Sequence, residues 1–186
     1  MTQQVLYDAT GRVLQWQDTA QFNYSSPGAD ATMAVSASQW ANQSGEWWVV
    51  NSSLTQSDPN APTSAQILAQ AQSAQTTSLR QSYLAAISAN ISFTDSASVT
   101  DTYQADPPSV QALNNCLSGF RAASAVPTGF YWRSATNQNN PFTYADLEGL
   151  ASAMTARGFT NYAHLQTQVA SVMAATTISA VNAVTW

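Results

Sequence analysis

The sequence predicts an α+β protein: a small N-terminal β-rich module, a long connecting helix, and a mainly helical C-terminal domain carrying a short strand or hairpin. Three observations predict it. Residues 1–54 set short aromatic and β-branched runs between turn signals. Residues 63–91 contain neither Pro nor Gly and repeat apolar residues at helical spacing. Residues 92–186 alternate helical apolar stripes with recognisable caps.

In the first segment, "QVLYDATGRVLQWQ" reads as two strands around a turn with Asp8 and Gly11. "QFNYSSPGAD" adds a strand end and a loop. Ser36 or Ser38 opens one helical turn holding Trp40, and "EWWVV" suits a pleated, half-buried surface. The whole reads as a docking module. "TQSDPNAP", residues 55–62, is a linker by composition.

In the connecting helix, Leu68, Gln72, Gln75, Leu79 and Tyr83 share a 4-3-4-4 spacing. Its first half is too polar for a monomeric core, which predicts a solvated stalk or a coiled coil with glutamine at its seam. Self-association through residues 64–91 is the expectation that follows. Beyond it, a strand is expected around Ala97 to Tyr103, and Pro107 and Pro108 suit a helix start. Val110, Leu113, Leu117 and Phe120 give that helix one apolar face. "TGFYWRSA" reads as a strand and "TNQNNP" as a turn-rich loop. Thr143 is the expected cap of a helix burying Leu147, Leu150, Ala151 and Met154, with Asp146 as a short capping-box acid. Arg157 and Gly158 look like that helix's end. A further helix runs from Tyr162 to about Ala175, and "TTISAVNAVTW" closes the chain with another.

Charge narrows the functional classes. Charged residues make up 8% of the chain, against the roughly 25% usual for soluble domains. There is no lysine, and the basic side chains are Arg12, Arg80, Arg121, Arg133 and Arg157. With a net charge of −5, the chain lacks the clustered cations that nucleic acid or an anionic membrane surface requires. No apolar run approaches the roughly 20 residues of a membrane span, and the N-terminus lacks the pattern of a secretion signal. Synthesis in a cytoplasm and retention there are expected.

The chemistry-bearing residues are few. Cys116 is the only cysteine and is expected to be a small buried side chain on a helix. His164 is the only histidine, so any histidine triad or zinc site would depend on it alone. There is no GxSxG elbow, phosphate loop or dinucleotide fingerprint. Glu148 and Asp146 are two apart on a helix and point away from each other. Asp95 and Asp101 lie in irregular sequence, where they could converge as a carboxylate pair. No catalytic residue, cofactor or metal is expected.

The six tryptophans, Trp16, Trp40, Trp47, Trp48, Trp132 and Trp186, have two readings: core and interface rings, or stacking platforms for sugar. Trp132, Arg133 and Asn139 are the candidate binding residues. In the structural alternative, Trp132 packs beneath the helices and Arg133 holds the loop or Asp146.

The order of features in the second half carries a resemblance. The aromatic-Arg strand and polar loop of "FYWRSATNQNNPFT", the capped helix "YADLEGLASAMTARG", the helix "YAHLQTQVASVMAA" and the close "TTISAVNAV" resemble an uncharacterised domain of phage and prophage proteins linked to tail fibres and their assembly. The likeness covers roughly residues 75–186. It implies a non-enzymatic tail-associated structural protein in the virion, with other tail or fibre proteins as partners. A homo-oligomer, with a trimer favoured, and contact with a host surface polysaccharide are further implications. A tail-fibre assembly chaperone and a polysaccharide-binding or hydrolysing tail protein are the alternatives.

Overall fold

The computed structural model describes residues 3–22 and 29–186, and the chain divides into two compact units, Met1–Ser64 and Ala65–Trp186. The fold is α+β, built from small antiparallel sheets and helices of very different lengths.

In the first unit, β1 (Gln3–Tyr7) lies between β2 (Val13–Asp18) and β3 (Ala31–Ala34). The central position buries Val5 and Leu6. The β1–β2 turn is bracketed by Asp8, whose Oδ1 accepts from Thr10 N at 2.9 Å and Arg12 N at 3.1 Å. Gly11 sits at φ +86°, and a Cβ there would lie 2.6 Å from the Val49 carbonyl oxygen. Only glycine lets this turn dock on the next hairpin. That hairpin, β4 (Trp48–Val50) and β5 (Ser53–Thr55), turns through Asn51 and Ser52, both at positive φ as a two-residue primed turn needs. α1 (Ala37–Trp40) is one turn with a Ser36–Gln39 capping box. Trp16 meets Trp40 and Trp47 edge to face, at centroid distances of 6.2 and 5.9 Å. Three of the tryptophans thus form a half-buried aromatic cluster. The strand end and loop expected at 21–30 fall largely outside the described residues, and β3 and β5 were not foreseen.

The second unit opens with α2 (Ser64–Ser88) and the hairpin β6 (Ile91–Thr94) and β7 (Thr100–Tyr103). Then come α3 (Pro107–Phe120), the hairpin β8 (Tyr131–Arg133) and β9 (Asn139–Pro141), α4 (Tyr144–Ala174) and α5 (Ile178–Ala183). Asp106 caps α3 through Ser109 N, ahead of Pro107 and Pro108. Thr143 and Asp146 form the expected capping box of α4, and Thr177 caps α5.

Two clusters make the core of this unit. Tyr103, Leu113, Phe142, Leu147 and Leu150 form one; Leu79, Leu165, Val172 and Val181 form the other. α4 contributes to both.

The structure corrects three expectations. First, α2 is not a free-standing stalk: its seam packs Leu79 on α4 and α5. Gln72 Nε2 donates to the carbonyls of Val172 and Ala175, and Gln75 Nε2 to that of Val184. The seam glutamines donate to carbonyls at the C-terminal ends of α4 and α5, so this seam packs within the second unit. Second, the helix stops at Ser88, and Ile91 pairs with Tyr103 in the hairpin. Third, Arg157–Gly158 is no helix end. α4 continues through it, and the Arg157 guanidinium donates to the carbonyls of Ile87 (2.6 Å), Ala89 (2.6 Å) and Asn90 (3.3 Å). The cation serves the C-terminus of α2 rather than that of its own helix.

Two glycines interrupt α4 for different reasons. A Cβ on Gly149 would lie 2.9 Å from Phe93 Cζ, whereas one on Gly158 meets nothing within 4 Å. Gly158→Ala should therefore stabilise the protein by about 0.5–1 kcal/mol through helix propensity. Gly149→Ala should destabilise it, because overpacking of roughly 1–3 kcal/mol exceeds that gain. Urea midpoints check the pair; equal shifts would mean that Phe93 does not press on α4.

Candidate functional site

The alternation of "FYWR" places the candidate site. Phe130 and Trp132 turn inward and pack against the Tyr103–Leu150 cluster, while Tyr131 and Arg133 are exposed. Pairing puts Arg133 opposite Asn139 and Tyr131 opposite Pro141. Side chains directly opposite share one face of a pair, so these four residues make one exposed face of the β8–β9 hairpin. Beside it lies a groove of about 290 Å³ lined by Gln104, Ser109, Ala112, Tyr131, Trp132 and Arg133. Trp132 and Arg133 are thus brought together in one wall. Asn139 joins Arg133 across the strands but does not line the groove.

Arg133 does not hold Asp146. Among the described residues its side chain makes no hydrogen bond or ion pair. Asp146 instead accepts from Ser96 N (2.7 Å), Ser96 Oγ (2.9 Å), Thr143 N (2.7 Å) and Thr143 Oγ1 (2.6 Å). The "TNQNNP" stretch is also more than a loop. Its Asn140 crosses to β7 and donates to Asp101 Oδ2 at 3.0 Å and to the hydroxyl of buried Tyr103 at 2.8 Å. Ala135 N donates to Thr102 O, a second tie between the hairpin and β7. Asn140 is therefore an anchor, and only Asn139 of the pair is free at the surface.

The carboxylates that could have paired for hydrolysis have other partners. Asp95 Oδ1 accepts from Ala97 N and Val99 N and closes the β6–β7 turn. Bonds from Asn140 and then from Thr102 N hold the Asp101 carboxyl below the ordinary aspartate range. His164 is exposed, its ring edge-to-face with that of Trp186 at 4.9 Å. Burial raises the pKa of Cys116, which disfavours a reactive thiolate. Among the described residues, no group of three His, Cys, Asp or Glu could hold a metal ion, and no helix is long and apolar enough to cross a membrane.

Sequence reasoning missed Gln104 and Ser109 as groove walls and Asn140 as the anchor. The N-terminal turn of α3 supplies Ser109, and nothing local to "DPPSVQ" marks it as facing β8.

No curated protein and no solved structure matches the chain. A family model does: the one described as a domain of unknown function, DUF4376, matches residues 69–185, from α2 through α5. With well over half of its length covered by that match, the chain belongs to the DUF4376 family.

Proposed function

We propose that the protein is a non-enzymatic, phage tail-associated structural protein in which the first unit docks on the tail and the second makes a contact with a fibre component or the host surface. The single observation that carries this reading is the β8–β9 hairpin face. Tyr131, Arg133, Asn139 and Pro141 stand exposed on two short strands, while Trp132 and Asn140 fix the hairpin from behind. A rigidly held hairpin with an exposed aromatic ring and an unpaired guanidinium suits a contact surface, since Tyr and Arg are enriched where binding energy concentrates. The likeness of the second half to tail-fibre-associated domains supplies the biological setting. The carboxylates near the hairpin support the non-enzymatic part: those of Asp95, Asp106 and Asp146 serve as turn bracket and caps, and that of Asp101 is held by Asn140.

Mass spectrometry of purified particles tests the proposal: the chain should be present in stoichiometric amount. Its absence from particles would replace this reading with the assembly chaperone. The surface itself is tested by rebinding purified variants to particles produced without the protein. Tyr131→Ala combined with Arg133→Ala should weaken rebinding at least about tenfold, as expected for a contact worth more than 1.4 kcal/mol, without moving the urea midpoint. Trp132→Ala should instead lower stability, by about 1–3 kcal/mol for a half-buried ring. Unchanged rebinding by the double variant would remove the hairpin face from the contact.

A further inference from the structure

A second cavity, of about 380 Å³, lies between the C-terminal end of α2, the first turns of α3 and the middle of α4. We infer that it is a binding site for a small uncharged molecule with an apolar body of about one ring and a hydrogen-bonding end. Its volume falls in the range of small-ligand sites, roughly 300–1,000 Å³. Ile87, Val110 and Met154, all half-buried, supply apolar wall.

The polar groups at the cavity are neutral amides and hydroxyls. The Asn114 side chain makes no hydrogen bond among the described residues, and Gln111 Nε2 donates to Asn115, which leaves the Gln111 oxygen open. Among the described residues, no ionisable side chain lines the space. Arg157, next to Gly158 in sequence, is the nearest cation along α4, and its guanidinium is held by the carbonyls that end α2. A charged ligand would lose hydration without gaining a counter-charge, whereas a neutral one can bury its body and reach an amide.

Gly158 is the second observation. It lies within a helix of 31 residues, lines the cavity, and a Cβ there would meet nothing. Glycine inside a helix is unfavourable relative to alanine. At Gly149 the packing of Phe93 accounts for the missing side chain; at Gly158 no group among the described residues does. The space that glycine leaves open is the cavity itself.

The test is an NMR titration of the full chain with benzyl alcohol, and with benzoate and benzylamine as charged relatives of similar shape. Saturable shifts are expected at the amides of Gly158 and Asn114 and the methyls of Ile87 and Val110. The charged relatives should bind at least about fivefold more weakly, because their hydration is not replaced. Gly158→Leu, which grows a side chain into the cavity from α4, should abolish saturation while circular dichroism stays unchanged. Val110→Phe fills the same space from α3 and makes the same test if the first variant does not fold. The inference is overturned by the absence of saturable shifts in the wild type, by equal affinity for benzoate, or by undiminished binding in a folded cavity-filled variant.

Discussion

Leu150→Ala should lower the stability of the second unit by about 2–5 kcal/mol, with a nearly unchanged urea m-value. Leu150 has no solvent exposure and packs with Tyr103, Leu113, Phe142 and Leu147. The more informative expectation concerns where the loss is felt. Because α4 runs unbroken from Tyr144 to Ala174, it carries Leu147 and Leu150 in one cluster and Leu165 and Val172 in the other. A continuous helix shared by two cores couples them. Amide hydrogen exchange in α2, whose buried Leu79 lies in the other cluster, should therefore speed up as much as exchange in α3. Acceleration confined to α3 would show that the clusters open as separate units and that α4 does not transmit stability past Gly158.

That continuity was not legible in the sequence, and the reason is physical. Arg157 followed by Gly158 has the composition of a helix end, and local reasoning takes it for one. The guanidinium is used instead on carbonyls about 70 residues earlier in the chain, at Ile87. The glutamines at 72 and 75 mislead in the same way. They read as a polar seam awaiting another helix, but their partners are the terminal carbonyls of α4 and α5, more than 100 residues away. Where the deciding contact is local, the sequence was enough. The Asp8–Gly11 turn, the Ser36 cap, the prolines opening α3 and the Thr143–Asp146 box all lie within a few residues of their partners. β5 was missed because its turn, Asn51–Ser52, lacks the glycine that usually marks a two-residue hairpin. The candidate site divides along the same line. Alternation alone places Trp132 inward and Tyr131 and Arg133 outward. The role of Asn140 depends on Tyr103, 37 residues away, and no short-range pattern announces it.

Asp146→Ala should cost about 2–4 kcal/mol, more than an ordinary cap, because one carboxylate serves two elements. Oδ2 takes the N–H and hydroxyl of Thr143 at the start of α4, and also the Ser96 hydroxyl; Oδ1 takes the Ser96 N–H from the β6–β7 turn. Truncation loses the reciprocal half of the capping box and leaves donors of both segments unpaired in a part-buried site. The charge matters as well as the shape. Burial pushes the Asp146 pKa up, but the bonds from Thr143 and Ser96 together outweigh it, and the net shift is downward. A carboxyl whose folded pKa lies below its unfolded value stabilises the fold above the unfolded value, and that contribution is lost as pH falls through the folded one. Asp146→Asn keeps the side chain's size but removes the charge and one acceptor. Its deficit relative to the wild type should be full at neutral pH and shrink below about pH 4, where the carboxyl of the unfolded wild-type chain begins to take up protons while the native one still resists. Asp101 and Asp106 are lowered too, so wild-type stability will fall in acid in any case, and the diagnostic is the gap between the two proteins. Urea midpoints from pH 7 down to pH 3 measure it. A gap that stays constant across that range would mean that Asp146 acts through its shape alone, and that its charge contributes nothing to joining the β6–β7 turn to α4.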